Sequence, residues 1–226
     1  MAVLAVIHHL KRPLLGHAEE PLQSAGLTLD ERDLRRGDGL PSPDEVDGLL
    51  LMGGEQYAGD DEFAAEAAWL RDAVTAEVPV LGICLGGQLL ARALGGQVRR
   101  SGRRVVEWRS LHKTPEGERD PLFAALPDPF PALHFNEDVF DAPPGAAVLA
   151  GPAPDGTAAF RHGPCAWGVQ YHPDADGPTV ERWIIEFPGD VPKGFGERSA
   201  ALRAAQTEAS RALFGGFARL VAERGA

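Results

Sequence analysis

Positive charge, cysteine and long apolar runs are all in short supply in this chain, and each shortage removes a class of function. Its 22 Lys and Arg against 33 Asp and Glu leave a net charge of −11. Non-specific attraction to nucleic acid or to an anionic membrane surface is thereby disfavoured. There are only two cysteines, Cys84 and Cys165, far apart and without metal-ligand spacing. Neither a disulfide framework nor a zinc site is expected from them. No apolar run reaches the ~18 residues that would mark a membrane helix. The opening stretch Met1 to His9 has no basic n-region and no small-residue cleavage site. It reads as a first buried strand rather than a signal peptide, and the chain as cytoplasmic. What is present is 226 residues of ordinary apolar content, enough for one large α/β domain or two small ones.

The organising stretch runs from Val78 to Gly95. Val78 to Leu81 reads as a short buried strand, and Leu85 to Leu94 as a helix with Leu85, Leu89, Leu90 and Ala93 on one face. Between them, Gly82-x-Cys84-x-Gly86 is a nucleophile elbow with sulfur in place of a serine oxygen. Small residues two before and two after let a strand reverse into a helix and hold the central side chain on a strained backbone. The helix starts at the sulfur, so its unpaired N–H groups and positive dipole end face that atom. A buried cysteine is ordinarily a small apolar core residue. Glycines on both sides at a strand-to-helix junction make Cys84 the candidate nucleophile instead.

Taken in order, Val3 to Ile7 is a continuous apolar run, as expected of a strand covered on both faces. His8 to Gly16 reads as a loop, His17 to Ala25 as a helix ended by Gly26, and Leu27 to Arg32 as a more exposed strand. His8 and His9 stand where open α/β sheets place ligands, but without a second cluster they read as loop or core histidines. Gly48 to Met52 is the next buried strand and ends in Gly53-Gly54, which can leave a backbone N–H uncovered for an oxyanion. A helix over Glu62 to Val74 then leads to the strand before Cys84. This order predicts a mostly parallel, doubly wound sheet with helices on both faces.

Beyond Val98 the spacing becomes hairpin-like. Strands are expected at Val105 to Trp108, Pro131 to Phe135, Val148 to Ala150, Thr157 to Arg161 and Ala166 to Tyr171, with a short helical turn at Pro121 to Leu126. They read as an antiparallel extension of the same sheet. A helix follows from about Pro178 to Glu186, then a Pro/Gly loop from Pro188 to Gly196. The last tract, Arg198 to Arg224, reads as helical with a break at Gly215-Gly216 and an apolar side that docks on the core.

A thiol nucleophile needs a base, and the base needs a third group to fix its tautomer and orientation. His172 ends the last core strand, on the sheet edge that holds Cys84, and Asp174 can turn back to its ring across Pro173. The segments Met52-Gly53-Gly54, Gly82-Ile83-Cys84-Leu85-Gly86-Gly87-Gln88 and Gly168-Val169-Gln170-Tyr171-His172-Pro173-Asp174, in this order and spacing, resemble the class I glutamine amidotransferases. The likeness is greatest to stand-alone proteins similar to the glutaminase part of GMP synthase, and it includes Leu133 to Phe140.

The resemblance implies a flavodoxin-like three-layer α/β/α fold, with residues 1–187 as the amidotransferase-like domain and 188–226 as a loop and helical extension packed on it. It implies a Cys84–His172–Asp174 triad acting through a γ-glutamyl thioester, without cofactor or metal. Gly54 and Leu85 would supply oxyanion N–H groups, and Gly53, Glu55 and Gln88 would adjoin the substrate, glutamine or another γ-glutamyl compound. Ammonia would pass to a separate synthetase. The alternatives are a γ-glutamyl peptide or amide hydrolase acting alone and a catalytically silent homologue with a binding or regulatory role.

Three positions depart from the family pattern. Asp174 replaces the usual glutamate and is one methylene shorter, so the backbone must come closer or Asp176 must assist. Glu55 replaces a common proline beside the Gly-Gly pair, where it would act on the site unless an arginine pairs with it at the surface. Asn136 stands where a second histidine is frequent.

Overall fold

The structure is a computed structural model that describes residues 1–10 and 14–226. Residues 11–13 of the loop expected between His8 and Gly16 therefore lie outside the described residues. One nine-stranded sheet organises the chain. Its strands are β1 (Val3–His8), β2 (Thr28–Asp33), β3 (Gly48–Leu51), β4 (Val80–Ile83), β5 (Val98–Lys113), β6 (Phe130–Phe140), β7 (Ala147–Gly151), β8 (Ala159–His162) and β9 (Ala166–Val169). The spatial order is β2-β1-β3-β4-β9-β8-β7-β5-β6. Pairings from β2 through β9 are parallel, and those from β9 to β6 are antiparallel. The parallel portion with its antiparallel extension is the arrangement anticipated from the order of apolar runs.

The strands that carry the site are short and apolar because they are covered on both faces. Alternation then decides which residue goes where. Leu4 and Val6 of β1, Leu50 of β3 and Leu81 and Ile83 of β4 enter one core cluster; Ala5, Ile7, Leu49, Leu51 and Val80 enter the other. The first face is covered by α1 (Glu19–Ser24) and the long C-terminal helix, the second by α2 (Ala64–Thr75) and α3 (Leu85–Ala93). A third apolar cluster joins β5 and β6 through Val106, Trp108 and Leu133 to Val180 and Trp183. The remaining helices are α4 (Pro115–Glu118), α5 (Gly177–Glu186) and α6 (Phe195–Arg224).

Helix α6 corrects one expectation: its 30 residues run through Gly215-Gly216 without a break. Two interior glycines cost about 1 kcal/mol each relative to alanine. Burial of Leu213, Phe214, Phe217 and Val221 on the sheet outweighs that cost. At Gly216 a β-carbon would lie 3.0 Å from Leu122 Cδ1, so the missing side chain lets the helix approach closely. The short helical turn expected at Pro121 to Leu126 is present as hydrogen-bonded turns, the Ala124 N–H donating to Asp120 O at 2.9 Å and the Leu126 N–H to Phe123 O at 3.0 Å. A four-residue helix precedes it at Pro115–Glu118, where Thr114 Oγ1 accepts from the Gly117 N–H. No helix among the described residues is long and apolar enough to cross a membrane.

Candidate active site

Parallel pairing of β4 with β9 aligns Ile83 with Val169, so the segments that follow them leave the sheet at the same edge. Cys84 leaves first. It holds φ +51° and ψ −107°, outside the helical and extended regions, and its N–H donates to Val169 O at 2.8 Å. Such a backbone is costly for a residue with a side chain and persists only where its surroundings enforce it. Here glycines do the enforcing. A β-carbon on Gly82 would meet Gly86 O at 2.5 Å, one on Gly86 would meet Leu51 O at 2.4 Å, and one on Gly87 would meet Val169 O at 2.7 Å. The bend therefore closes only around absent side chains.

His172 follows β9 and is buried beside that bend, with its N–H donating to Leu133 O at 2.8 Å. A β-carbon on Gly53 would stand 2.9 Å from His172 Cε1 and 3.7 Å from Cys84 Cβ, so Gly53 is the gap across which the imidazole and the cysteine face each other. Asp174 Oδ1 lies 3.2 Å from His172 Nδ1. Burial pulls the His172 pKa down, but the adjacent Cys84 and the Asp174 carboxylate outweigh it and raise the ring to about 10. Asp176 takes no part in this contact: its Oδ1 accepts the Thr179 N–H at 2.9 Å and caps α5.

The turn carrying His172 is held from outside by several elements. Gln206 of α6 donates to Ala175 O at 2.8 Å and to His172 O at 3.4 Å, and Ser210 Oγ donates to Pro173 O at 2.7 Å. His17 N–H completes the set on Asp174 O at 2.9 Å. Four consecutive carbonyls of the His172–Ala175 turn are thus engaged by residues remote in sequence.

Gly53 and Gly54 follow β3. A β-carbon on Gly54 would come within 2.4 Å of Leu85 Cδ2 and 2.9 Å of His9 Cβ. Among the described residues the Gly54 N–H has no acceptor. Leu85 opens α3, so its N–H has no carbonyl within the helix to bind. Glu55 is exposed, its carboxylate has no ion pair among the described residues, and its N–H donates to Gln56 Oε1 at 3.0 Å. Gln88 is buried and spends its amide N–H groups on Asp138 O at 2.9 Å and Gln170 Oε1 at 3.4 Å. Asn136 donates to Asp138 O at 3.1 Å.

All the predicted site residues except Leu85 line one cavity of about 670 Å³. Several further residues, not assigned to the site from the sequence, adjoin it. Gln170 Nε2 points at Cys84 Sγ from 3.7 Å. Trp183 of α5 sets its ring edge-on to His172 at 4.9 Å. His9 is buried between Met52 O at 3.2 Å and Glu66 at 3.0 Å, which ties α2 to the carbonyl just before Gly53. His8 also lines the cavity and meets Glu31 at 2.9 Å. A further buried histidine, His134, is pulled down to about 3 by burial, then by the Arg109 and His172 charges, so it stays neutral. Cys165 is a buried free thiol whose pKa is raised chiefly by burial.

Fold and site together define an α/β/α protein in which a cysteine on a strand-to-helix bend, a histidine and a carboxylate share one pocket. The family model for class-I glutamine amidotransferase matches residues 28–186. The glutamine amidotransferase-like protein YfeJ of Salmonella typhimurium is 29% identical over 184 residues, covering 78% of this chain and 77% of that one. The glutamine-hydrolyzing GMP synthase subunit of Methanocaldococcus jannaschii is 36% identical over 137 residues, 60% of this chain and 68% of that one. A glutamine amidotransferase of Thermotoga maritima, known from its crystal structure, shares 25% identity at a TM-score of 0.84, over 97% of this chain and 98% of its own. The chain belongs to the class I glutamine amidotransferase family.

Proposed function

We propose that this protein hydrolyses the γ-amide of glutamine through a covalent γ-glutamyl thioester on Cys84. The observation that carries the reading is the meeting of Cys84, His172 and Asp174 at adjacent strand ends across Gly53. Cys84 Sγ attacks the amide carbon and forms the C–S bond. The oxygen that takes up the negative charge is received by the N–H groups of Gly54 and Leu85. His172, protonated and steadied by Asp174, gives its proton to the departing nitrogen as the C–N bond breaks. Water then enters, His172 takes its proton, and attack on the thioester releases glutamate and the free cysteine. Gln88 lines the cavity beside Asp138 of β6, where the glutamyl part would lie.

Likeness to the Methanocaldococcus GMP synthase subunit favours delivery of the ammonia to a separate synthetase. A second reading, cleavage of γ-glutamyl amides without a partner, is favoured by the size of the cavity and the composition of its wall. An electrophilic glutamine analogue incubated with the protein should add to Cys84, as read by intact-mass and peptide mass spectrometry. Purified protein should release glutamate, and Cys84→Ala should lower the rate at least about 10⁴-fold with an unchanged melting temperature. An unlabelled Cys84, or a Cys84→Ala variant with normal activity, would end the thioester account.

A further inference from the structure

The cavity around Cys84 is larger than a free amino acid fills; its ~670 Å³ is in the range that encloses drug-sized ligands. Its composition differs from side to side. On the side of His172 the wall is aromatic. Trp183 lies edge-on to the His172 ring at 4.9 Å, Phe135 stacks on Trp183 at 4.7 Å with planes 16° apart, and Phe187 meets Phe135 at 5.3 Å. The Arg104 guanidinium covers Phe187 at 5.6 Å and is itself paired with Asp190 at 2.6 Å and Glu137 at 3.4 Å. These contacts hold the wall in shape before anything binds, and the charged side chains beside it are matched within the protein, Arg104 as above and Arg182 by Glu186 at 3.9 Å. Leu14 lines the same cavity with 43% of its surface exposed, one of few large apolar side chains so placed.

The chemistry fixes what meets this wall. If His172 protonates the nitrogen as it leaves, the leaving group must lie on the His172 side of the scissile bond, and whatever hangs from that nitrogen extends over Trp183, Phe135 and Phe187. Ammonia has no surface to place there, whereas a flat apolar arm would remove from water both itself and the parts of Phe135 and Phe187 that stay accessible beside the buried Trp183.

We propose that this face is a subsite for the leaving amine, and that it selects N-substituted γ-glutamyl amides whose amine carries an arylalkyl or similar flat apolar arm. The inference rests on the thioester reading above for the placement of the leaving group. The step balances as before: the C–N bond breaks as the C–S bond forms, His172 supplies the proton to the amine nitrogen, and water later cleaves the thioester to give glutamate.

The test compares γ-glutamyl-phenethylamide with γ-glutamyl-ethylamide, both amides of primary alkylamines, and the Phe187→Ala and Leu14→Asp variants below separate the subsite from the difference in amine basicity. Wild-type kcat/KM should favour the phenethyl compound by about 10-fold or more, the discrimination a few apolar carbons provide in a fitted pocket. Phe187→Ala should bring the ratio close to one, and Leu14→Asp, which puts a charge into the same cavity at an exposed position with little demand on folding, should lower it. Calorimetric binding of both amides to Cys84→Ala gives the same comparison without chemistry. Equal kcat/KM for the two amides, or a preference untouched by both variants, would overturn the subsite while leaving the glutaminase reading intact. Absent hydrolysis with an unlabelled Cys84, but tighter binding of the phenethyl compound, would overturn the thioester reading and leave the apolar subsite standing.

Discussion

The two halves of the site are built in opposite ways. Cys84 is shaped by its own neighbours: Gly82, Gly86 and Gly87 lie within three residues of it, and each leaves room that a β-carbon would take from a backbone atom. His172 is shaped from afar, with Leu133 of β6, His17 and the α6 residues Gln206 and Ser210 gripping its turn, and Trp183 of α5 flanking its ring. A local device of this kind survives as a short motif. A remote one depends on four elements arriving together, and so ties the orientation of the base to the completeness of the fold.

With Cys84 left in place, breaking the histidine half at its chemistry gives the largest effect. Asp174→Asn should lower kcat/KM about 10³-fold, because the amide neither stabilises the imidazolium nor selects the same tautomer. It should also lower the His172 pKa from its value of about 10, since Asp174 is one of the groups that raise it. The sign follows from linkage: a raised histidine pKa contributes stability in full below the ordinary value near 6.5 and loses it as pH climbs through the folded value. In the variant that loss still begins near the ordinary value but is complete at lower pH and smaller in total, which imidazole NMR titration and denaturation across pH would read. An unchanged titration would mean that Asp174 does not couple to the ring.

Breaking the cysteine half comes next. Gly86→Ala places a β-carbon 2.4 Å from Leu51 O, and the forced shift should cost about 1–3 kcal/mol in chemical denaturation. A wild-type unfolding midpoint would show that the elbow is looser than its contacts imply. The smallest effect separates support from chemistry. Gln206→Leu removes the donor to Ala175 O and His172 O, and should lower kcat about 10-fold while KM stays within about twofold, because the ring is mis-aimed rather than lost. Gln206→Glu, which keeps the length of the side chain but not its donor, should fail to restore kcat.

The same contrast explains what could be read in advance. The strands β1, β3, β4 and β9 were legible because each is a short, unbroken apolar run, and the elbow was legible because its glycines are adjacent in sequence. The long hairpin was legible only at its centre: β5 spans Val98 to Lys113, but its first half, Arg99 to Arg104, carries arginines, a serine and a glycine that give no strand signal. Gly215-Gly216 suggested a helix break because propensity was weighed without the packing of Phe214, Phe217 and Val221, which overrides it. Gln170 lay inside a quoted motif, yet nothing along the chain says that its amide reaches Cys84. Gln206, Trp183 and the His9–Glu66 pair are visible only once distant elements are set side by side. For Asp174 the shorter reach is met by the turn itself, which brings its carboxylate to 3.2 Å from the ring.

Helix α6 also sets a schedule. A ribosome delivers the β4–α3 bend long before it delivers Gln206 and Ser210. The cysteine bend is complete once β9 supplies Val169 O to the Cys84 N–H, while the turn that carries the imidazole stays ungripped until α6 docks. In the proposed mechanism, a nascent chain holding its substrate-facing segments but not that helix would carry the thiol without an aimed imidazole, and reactivity would wait until the helix has been made and seated.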